Sequence, residues 1–175
     1  LIWHQSNRAD PKAREIADRH YNRQKPGTPQ FVPPGRCCVF YAENESGKAF
    51  WVTIYPFAKY VKHEWAGAWM CSAFRNEGAG IASDMIRDAV AATRAFFGDP
   101  PPLGMITFID TTKVRPTMRH GRETWGLTYE KAGFRLIGKT KKGLLAFQLL
   151  PEDMPEPQKA LPEIGGKNEP DRTTD

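Results

Sequence analysis

Arg75-Asn76-Glu77-Gly78-Ala79-Gly80 separates an apolar run, Trp69 to Phe74, from a long amphipathic stretch with no further glycine until Gly98. A strand feeding a helix through an R-x-x-G-x-G turn leaves backbone N–H groups pointing out of the helix start. Those groups and the positive end of the helix dipole suit a pyrophosphate. Gly78 and Gly80 would let the backbone approach the anion and take positive φ. Asp110 closes a second apolar run, where a carboxylate can act as general base or orient an amine. His20 and Tyr21 precede a proline-rich loop and could bind substrate or relay a proton, because imidazole titrates near neutrality. Arg115, Arg119, His120 and Arg122 lie in one loop, Lys113 to Arg122, that could grip a polynucleotide backbone. Trp125, Phe57, Tyr60 or Trp65 could then stack an extruded base. Each feature also has a plainer reading: a glycine turn that binds nothing, an Asp turning with Thr111 and Thr112, a packed His–Tyr pair, a solvated basic loop.

Composition narrows the field. The chain has 175 residues, 40% hydrophobic and 26% charged, which suits one soluble domain, expected over residues 1–150. No run of about 18 apolar residues occurs, so no membrane span is expected. The opening Leu1-Ile2-Trp3-His4-Gln5 lacks the pattern of a signal peptide, and a cytoplasmic location is expected. Three cysteines, Cys37, Cys38 and Cys71, form no disulfide framework. Four scattered histidines, His4 and His63 among them, have no ligand spacing, so no metal is expected. Net charge is +5, yet residues 151–175 are acidic on balance, so the body is more basic than the whole. That imbalance points to a polyanionic partner, nucleic acid or a phosphate-rich cofactor, unless the surface is merely solvated.

The elements that must position these groups follow from pattern. Arg8 to Gln24 reads as a helix, with Asp10 as N-cap, Pro11 at its first position, and an apolar stripe at Ala13, Ile16, Ala17 and Tyr21. Lys25 to Arg36, with four prolines, is a shaped loop. Cys37 to Tyr41 and Ala49 to Tyr55 form a hairpin across Asn44-Glu45-Ser46-Gly47. Pro56 to Gly67 is irregular. Trp69 to Phe74 is a strand, and Ile81 to Phe97 an amphipathic helix stopped by Gly98 and three prolines. Leu103 to Ile109 is a strand, Thr111 to Trp125 irregular, and Leu127 to Ala132 a short helix. Phe134 to Lys139 and Leu144 to Leu150 are the last strands. Residues 151–175, rich in Pro, Glu and Lys, are expected to be disordered. The class is α/β with one mixed central sheet.

The order of elements resembles the GNAT fold of acyl-CoA-dependent N-acyltransferases. Arg75-Asn76-Glu77-Gly78-Ala79-Gly80 is similar to that family's R/Q-x-x-G-x-G/A pyrophosphate signature. Leu127-Thr128-Tyr129-Glu130-Lys131-Ala132-Gly133-Phe134 resembles its late L-Y-E-K-x-G-F signature, with Thr128 inserted. The resemblance implies a sheet split beside the strand–turn–helix junction, with flanking helices. It also implies a donor such as acetyl-CoA held by residues 75–80, and Tyr129 as the acid that protonates the departing thiolate. A narrower resemblance covers His20-Tyr21-Asn22, the set Arg75, Asn76 and Ser83, a strand ending in Asp110, and Tyr129 followed by Gly133-Phe134. These are similar to Mom-type phage proteins, GNAT-like enzymes that hypermodify adenine in DNA. The segment between Asp110 and Tyr129 is longer than that pattern implies. The resemblance makes Tyr129, Asp110, His20, Tyr21 and Ser83 candidate catalytic residues and DNA a partner. Two other readings stay open: an N-acetyltransferase for a small-molecule or protein amine, and a non-catalytic nucleic-acid-binding module.

Overall fold

Trp3, wholly buried, anchors the start of the sheet by donating its indole N–H to the Met85 carbonyl at 2.8 Å. The computed structural model describes residues 2–23, 25–27, 31–33, 35–55 and 64–165. Phe57, Tyr60 and His63 lie outside the described residues, and so do residues 166–175.

Strand β1 (His4–Ser6) leads to helix α1 (Pro11–Ala17). The Asp10 carboxylate caps α1 from the Lys12 amide at 3.0 Å and is itself bonded by the Ser6 hydroxyl at 2.6 Å. The helix expected to reach Gln24 ends at Ala17. The amides of Arg19 and His20 bond back only three residues, and Asp18 takes the Arg23 guanidinium and the Gly27 amide, which turns the chain away from the helix axis. Strands β2 (Arg36–Asn44) and β3 (Gly47–Tyr55) form the expected hairpin, and the Asn44 side chain accepts the Ser46 and Gly47 amides across the turn.

Strand β4 (Trp69–Glu77) is longer than the apolar run. Arg75 and Asn76 still pair with Phe50 and Ala49 of β3, so the strand carries through the residues expected to turn. Its register slips between Val52 and Thr53, which face Ala73 and Cys71 and leave Ser72 as an extra residue. Helix α2 (Ala82–Phe97) buries Met85, Ile86, Ala89, Val90 and Thr93 and ends at Gly98. Strand β5 (Met105–Ile109) follows. The segment expected to be irregular holds a small hairpin, β6 (Thr117–Arg119) and β7 (Arg122–Thr124), where His120 and Gly121 both take positive φ as a two-residue turn of this twist requires. Helix α3 (Leu127–Lys131), β8 (Arg135–Lys139) and β9 (Leu145–Leu149) complete the fold.

The seven-stranded sheet runs β1-β2-β3-β4-β5-β9-β8 and is antiparallel throughout except at β4–β5. Ala13, Ile16 and Ala17 of α1 pack with Val39, Tyr41, Phe50, Val52 and Ile54 on one face. Helix α2 covers Cys38, Phe40, Trp51, Trp69, Met105 and Phe147 on the other. Burying each aliphatic or Phe side chain of these layers stabilises the fold by about 1.5–3 kcal/mol.

The tail expected to be disordered is docked over residues 151–165. After a 3₁₀ turn at Pro151–Asp153, Met154 is buried, the Gln158 amide donates to Ala91, and Arg94 donates to the Pro155 carbonyl. Leu161 then bridges β1: its amide donates to Trp3 and its carbonyl accepts the Gln5 amide. A composition poor in apolar residues hid this because backbone bonds to the β1 edge and α2 do most of the holding. His4, one of the scattered histidines, sits on β1 and contacts the Pro162 carbonyl at 2.8 Å. Among the described residues, no helix is long and apolar enough to cross a membrane.

Candidate functional site

Strands β4 and β5 pair only at Trp69–Met105 and Met70–Ile106 and then part. Beyond that point β4 keeps its bonds to β3, and β5 keeps its bonds to β9. Side chains and backbone facing the gap therefore border open space at the middle of a sheet. A cavity of about 310 Å³ fills it, bordered by β4 from Cys71 to Asn76, β5 from Thr107 to Ile109, Val114, Tyr129, His20 and Tyr21. A second, of about 560 Å³, opens on the α1 side beside Arg23, Phe31, Met70, Asp110 and Lys113. The two share Tyr21, Cys71, Ser72, Ala73 and Phe108, so the gap is lined continuously from one side of the sheet to the other.

The turn after α1 delivers its three polar residues here. Asn22 donates its side-chain amide to the Ser72 carbonyl at 2.7 Å, on the bulged residue of β4. Tyr21 directs its hydroxyl at the Phe108 carbonyl at 3.4 Å and stacks on the His20 ring. His20 Nδ1 lies 2.6 Å from the Asn22 side-chain oxygen. Burial lowers the imidazole pKa below its ordinary value, with the Asn22 contact opposing and the Arg75 charge reinforcing the shift. His20 is therefore neutral at physiological pH. Burial raises the Tyr21 phenol.

Helix α3 supplies Tyr129. Its hydroxyl lies 3.9 Å from the Cys71 sulfur, and its ring packs edge-on against Phe134. Burial, and then Cys71, hold the phenol well above its ordinary range, so it keeps its proton. Cys71 is itself pushed up to about 12 by burial and is an inert thiol. Asp110 borders the larger cavity, but its carboxylate accepts the hydroxyl of Thr112 at 2.6 Å and the Thr112 amide at 3.0 Å. These bonds lower its pKa and make it an anion that turns the chain.

The turn after β4 differs from the expected cradle. Asn76 accepts the Ala79 amide at 2.9 Å and donates to the Gly80 carbonyl at 2.7 Å, so its side chain spans the turn. Asn44 takes the Ala79 carbonyl at 2.7 Å. A Cβ on Gly78, where φ is +88°, would meet the Ser46 carbonyl oxygen at 3.0 Å, and one on Gly80 would meet the Met85 sulfur at 3.3 Å. Both glycines have neighbours within the protein that a side chain would crowd. Glu77 faces two arginines: Arg19 through a two-pronged bond at 2.5 and 2.8 Å, and Arg75 at 2.8 Å. The α2 N-terminus is open. Its N-cap, Ile81, makes no side-chain bond, and the amides of residues 82–84 have no partner within the helix.

His20, Tyr21, Arg75, Asn76 and Tyr129 are thus brought to one cavity, with Asp110 at the other. Ser83, in the first turn of α2, borders neither. Arg115, Arg119, His120 and Arg122 are exposed on and beside the β6–β7 hairpin, where Arg119 pairs with Glu130 at 2.9 Å. Sequence reading missed Ser72 and Thr107. Ser72 matters because it is the bulged residue, and no composition signal marks a bulge. Among the described residues, no cluster of His, Cys, Asp and Glu has the makings of a metal site. No protein-family model, curated protein or solved structure matches the chain.

Proposed function

We propose that this protein is a GNAT-type transferase of the Mom-like kind, acting on the exocyclic amine of an adenine in DNA. The observation that carries the reading is the gap between β4 and β5, where His20, Tyr21 and Tyr129 converge beside a strand–turn–helix junction. The GNAT resemblance implies a split sheet at that junction, and the Mom-like resemblance implies those three residues.

The open first turn of α2 suits the pyrophosphate of an acyl-CoA, held by amides of residues 80–83. Such a donor supplies the activated acyl group. Asn22 fixes the turn after α1 to the Ser72 carbonyl and so holds Tyr21 and His20 over the gap. His20, kept neutral by burial, can take a proton from the amine. Tyr129, kept protonated, can give one at its hydroxyl to the leaving group. Adenine N6 is a poor nucleophile because its lone pair is conjugated with the ring, so a base and an acid at opposite ends of the transfer meet a real chemical need. The exposed Arg115 and Arg122 supply a small phosphate-gripping surface next to Val114, which borders the gap.

Mass spectrometry of nucleosides from DNA of cells expressing the protein tests this. A modified adenine is the expected result. Unmodified DNA would overturn it. A second reading, an N-acetyltransferase for a small amine, draws on the engagement of Arg19 and Arg23 with carboxylates, which reduces the basic surface available to DNA. Acyl transfer to a small amine, with DNA untouched, would favour that second reading.

A further inference from the structure

Three features outside the proposed chemistry invite a role. One is the exposed edge strand β8 with Leu136 and Ile137 uncovered, but nothing on it selects an occupant. Another is the docked tail, which lies on α2 and β1 away from the gap. The third is Glu77, and it carries an inference. Its carboxylate joins two parts of the chain 58 residues apart in sequence. Arg19, in the turn after α1, grips both of its oxygens, while Arg75, on the same β4 face two residues back, holds one of them. A two-pronged guanidinium–carboxylate pair fixes direction as well as distance. Arg19 is the residue immediately before His20-Tyr21-Asn22, and Arg75 borders the same cavity as His20 and Tyr21. The carboxylate is held down to about 2 by these bonds, so it stays charged across the physiological range.

We infer that Glu77 is a positioning residue, the clamp that holds the His20-Tyr21-Asn22 segment across the gap, and not a ligand of the donor. Two attachments hold that segment to β4, the Arg19–Glu77 pair before it and the Asn22–Ser72 bond at its close, while the Asp18–Arg23 pair closes the turn on itself. Because Glu77 also begins the turn into α2, whatever seats on that turn acts on the same strand end that holds the acceptor-side residues. The inference rests on the proposed reaction for its catalytic consequence, but the clamp itself is testable without it.

Hydrogen exchange on the full chain reads the clamp directly. Glu77→Gln should raise amide exchange of residues 18–23 by about tenfold, with the β5 and α2 amides unchanged, because losing one charge-assisted pair loosens a local opening rather than the whole fold. Arg19→Gln removes the same pair from its exposed end and should reproduce the effect, which keeps the test valid if the Glu77 variant does not fold. Unchanged exchange over residues 18–23 in Arg19→Gln would overturn the inference. If the wild type modifies DNA, both variants should lose turnover and raise the KM for DNA, while acetyl-CoA affinity by calorimetry stays the same. Loss of acetyl-CoA affinity with acceptor KM unchanged would make Glu77 a donor ligand and overturn it too. A wild type that modifies nothing defeats the proposed function and leaves the exchange result standing.

Discussion

Tyr129 and Tyr21 reach the gap from α3 and from the turn after α1, and burial keeps both phenols protonated. The Tyr129 hydroxyl has two side-chain neighbours, the Cys71 sulfur at 3.9 Å and the Thr107 hydroxyl, which also donates to the Cys71 carbonyl, so losing it costs folding only about 1 kcal/mol. Tyr129→Phe should therefore melt close to wild type yet lower turnover by roughly 10²–10⁴-fold, the range for loss of a general acid. A thermal melt alongside a nucleoside assay checks both halves. Glu77 sets a pH limit. Its folded pKa of about 2 lies below the ordinary 4.5, so its contribution is full above about pH 4.5 and is lost as pH falls toward 2. Both arginine partners are partly exposed, so the contribution is on the order of 1 kcal/mol. Denaturant melts between pH 2 and 6 should show a shallower acid limb in Glu77→Gln. Residue types were the most legible layer of the sequence. A Tyr before Gly-Phe and a His-Tyr-Asn triplet are visible as written. What Asp110 does was less legible, because its carboxylate could equally face a substrate or its own backbone; the Thr112 bonds occupy one oxygen, Oδ1, of a side chain that still borders the larger cavity.

The element that reads differently in three dimensions is β4. The apolar run ends at Phe74, so the sequence suggests a strand of six residues and a turn beginning at Arg75. The strand instead carries three polar residues further, because β3 pairs with the first two, Arg75 and Asn76, and because one edge of that stretch faces the gap. The Ser72 bulge also shifts the alternation, so that Cys71 joins the α2 layer while Ala73 joins the α1 layer. A period-2 pattern broken in mid-strand does not announce itself. The hairpin between β2 and β3 shapes the end of β4: Asn44 holds the Ala79 carbonyl, and Lys48 bridges Gly78. A Cβ on Gly47 would come within 1.9 Å of the Glu77 carbonyl oxygen, which is backbone and cannot swing away. Gly47→Ala should destabilise by about 1–3 kcal/mol or more as the turn is forced off β4. Gly80→Ala meets the flexible Met85 side chain and, at an ordinary 3.8 Å, the end of Ile2, and should cost less. Paired denaturant melts rank the two, and the opposite ranking would mean the β2–β3 turn does not support the end of β4.

At the scale of the molecule, the docked residues 151–165 change what the acidic segment is for. They bury Met154 and add backbone bonds to Trp3, Gln5 and Ala91, so a chain ending at Leu150 should be less stable and not simply less acidic. Its melting temperature should fall by several degrees, since each 1 kcal/mol or so moves a domain of this size by roughly 2–4 °C. Polyanion binding belongs to the same scale. Arg19, Arg23 and Arg119 are each tied to a carboxylate, while Arg115 and Arg122 are exposed and have no partner among the described residues. Arg115 and Arg122 thus form one exposed basic patch at the β6–β7 hairpin, while Arg135, Lys139, Lys141 and Lys142 are exposed on and after β8. Each phosphate the patch neutralises should lower log K by about 0.9 per tenfold rise in salt on duplex DNA. Arg115→Gln with Arg122→Gln should therefore reduce the slope by about two such contacts, while Arg19→Gln should leave it unchanged. Fluorescence anisotropy across a salt series measures both. A slope that falls equally with Arg19→Gln would place the footprint along the turn after α1 as well, and absence of any salt slope would leave DNA with no electrostatic hold on this chain.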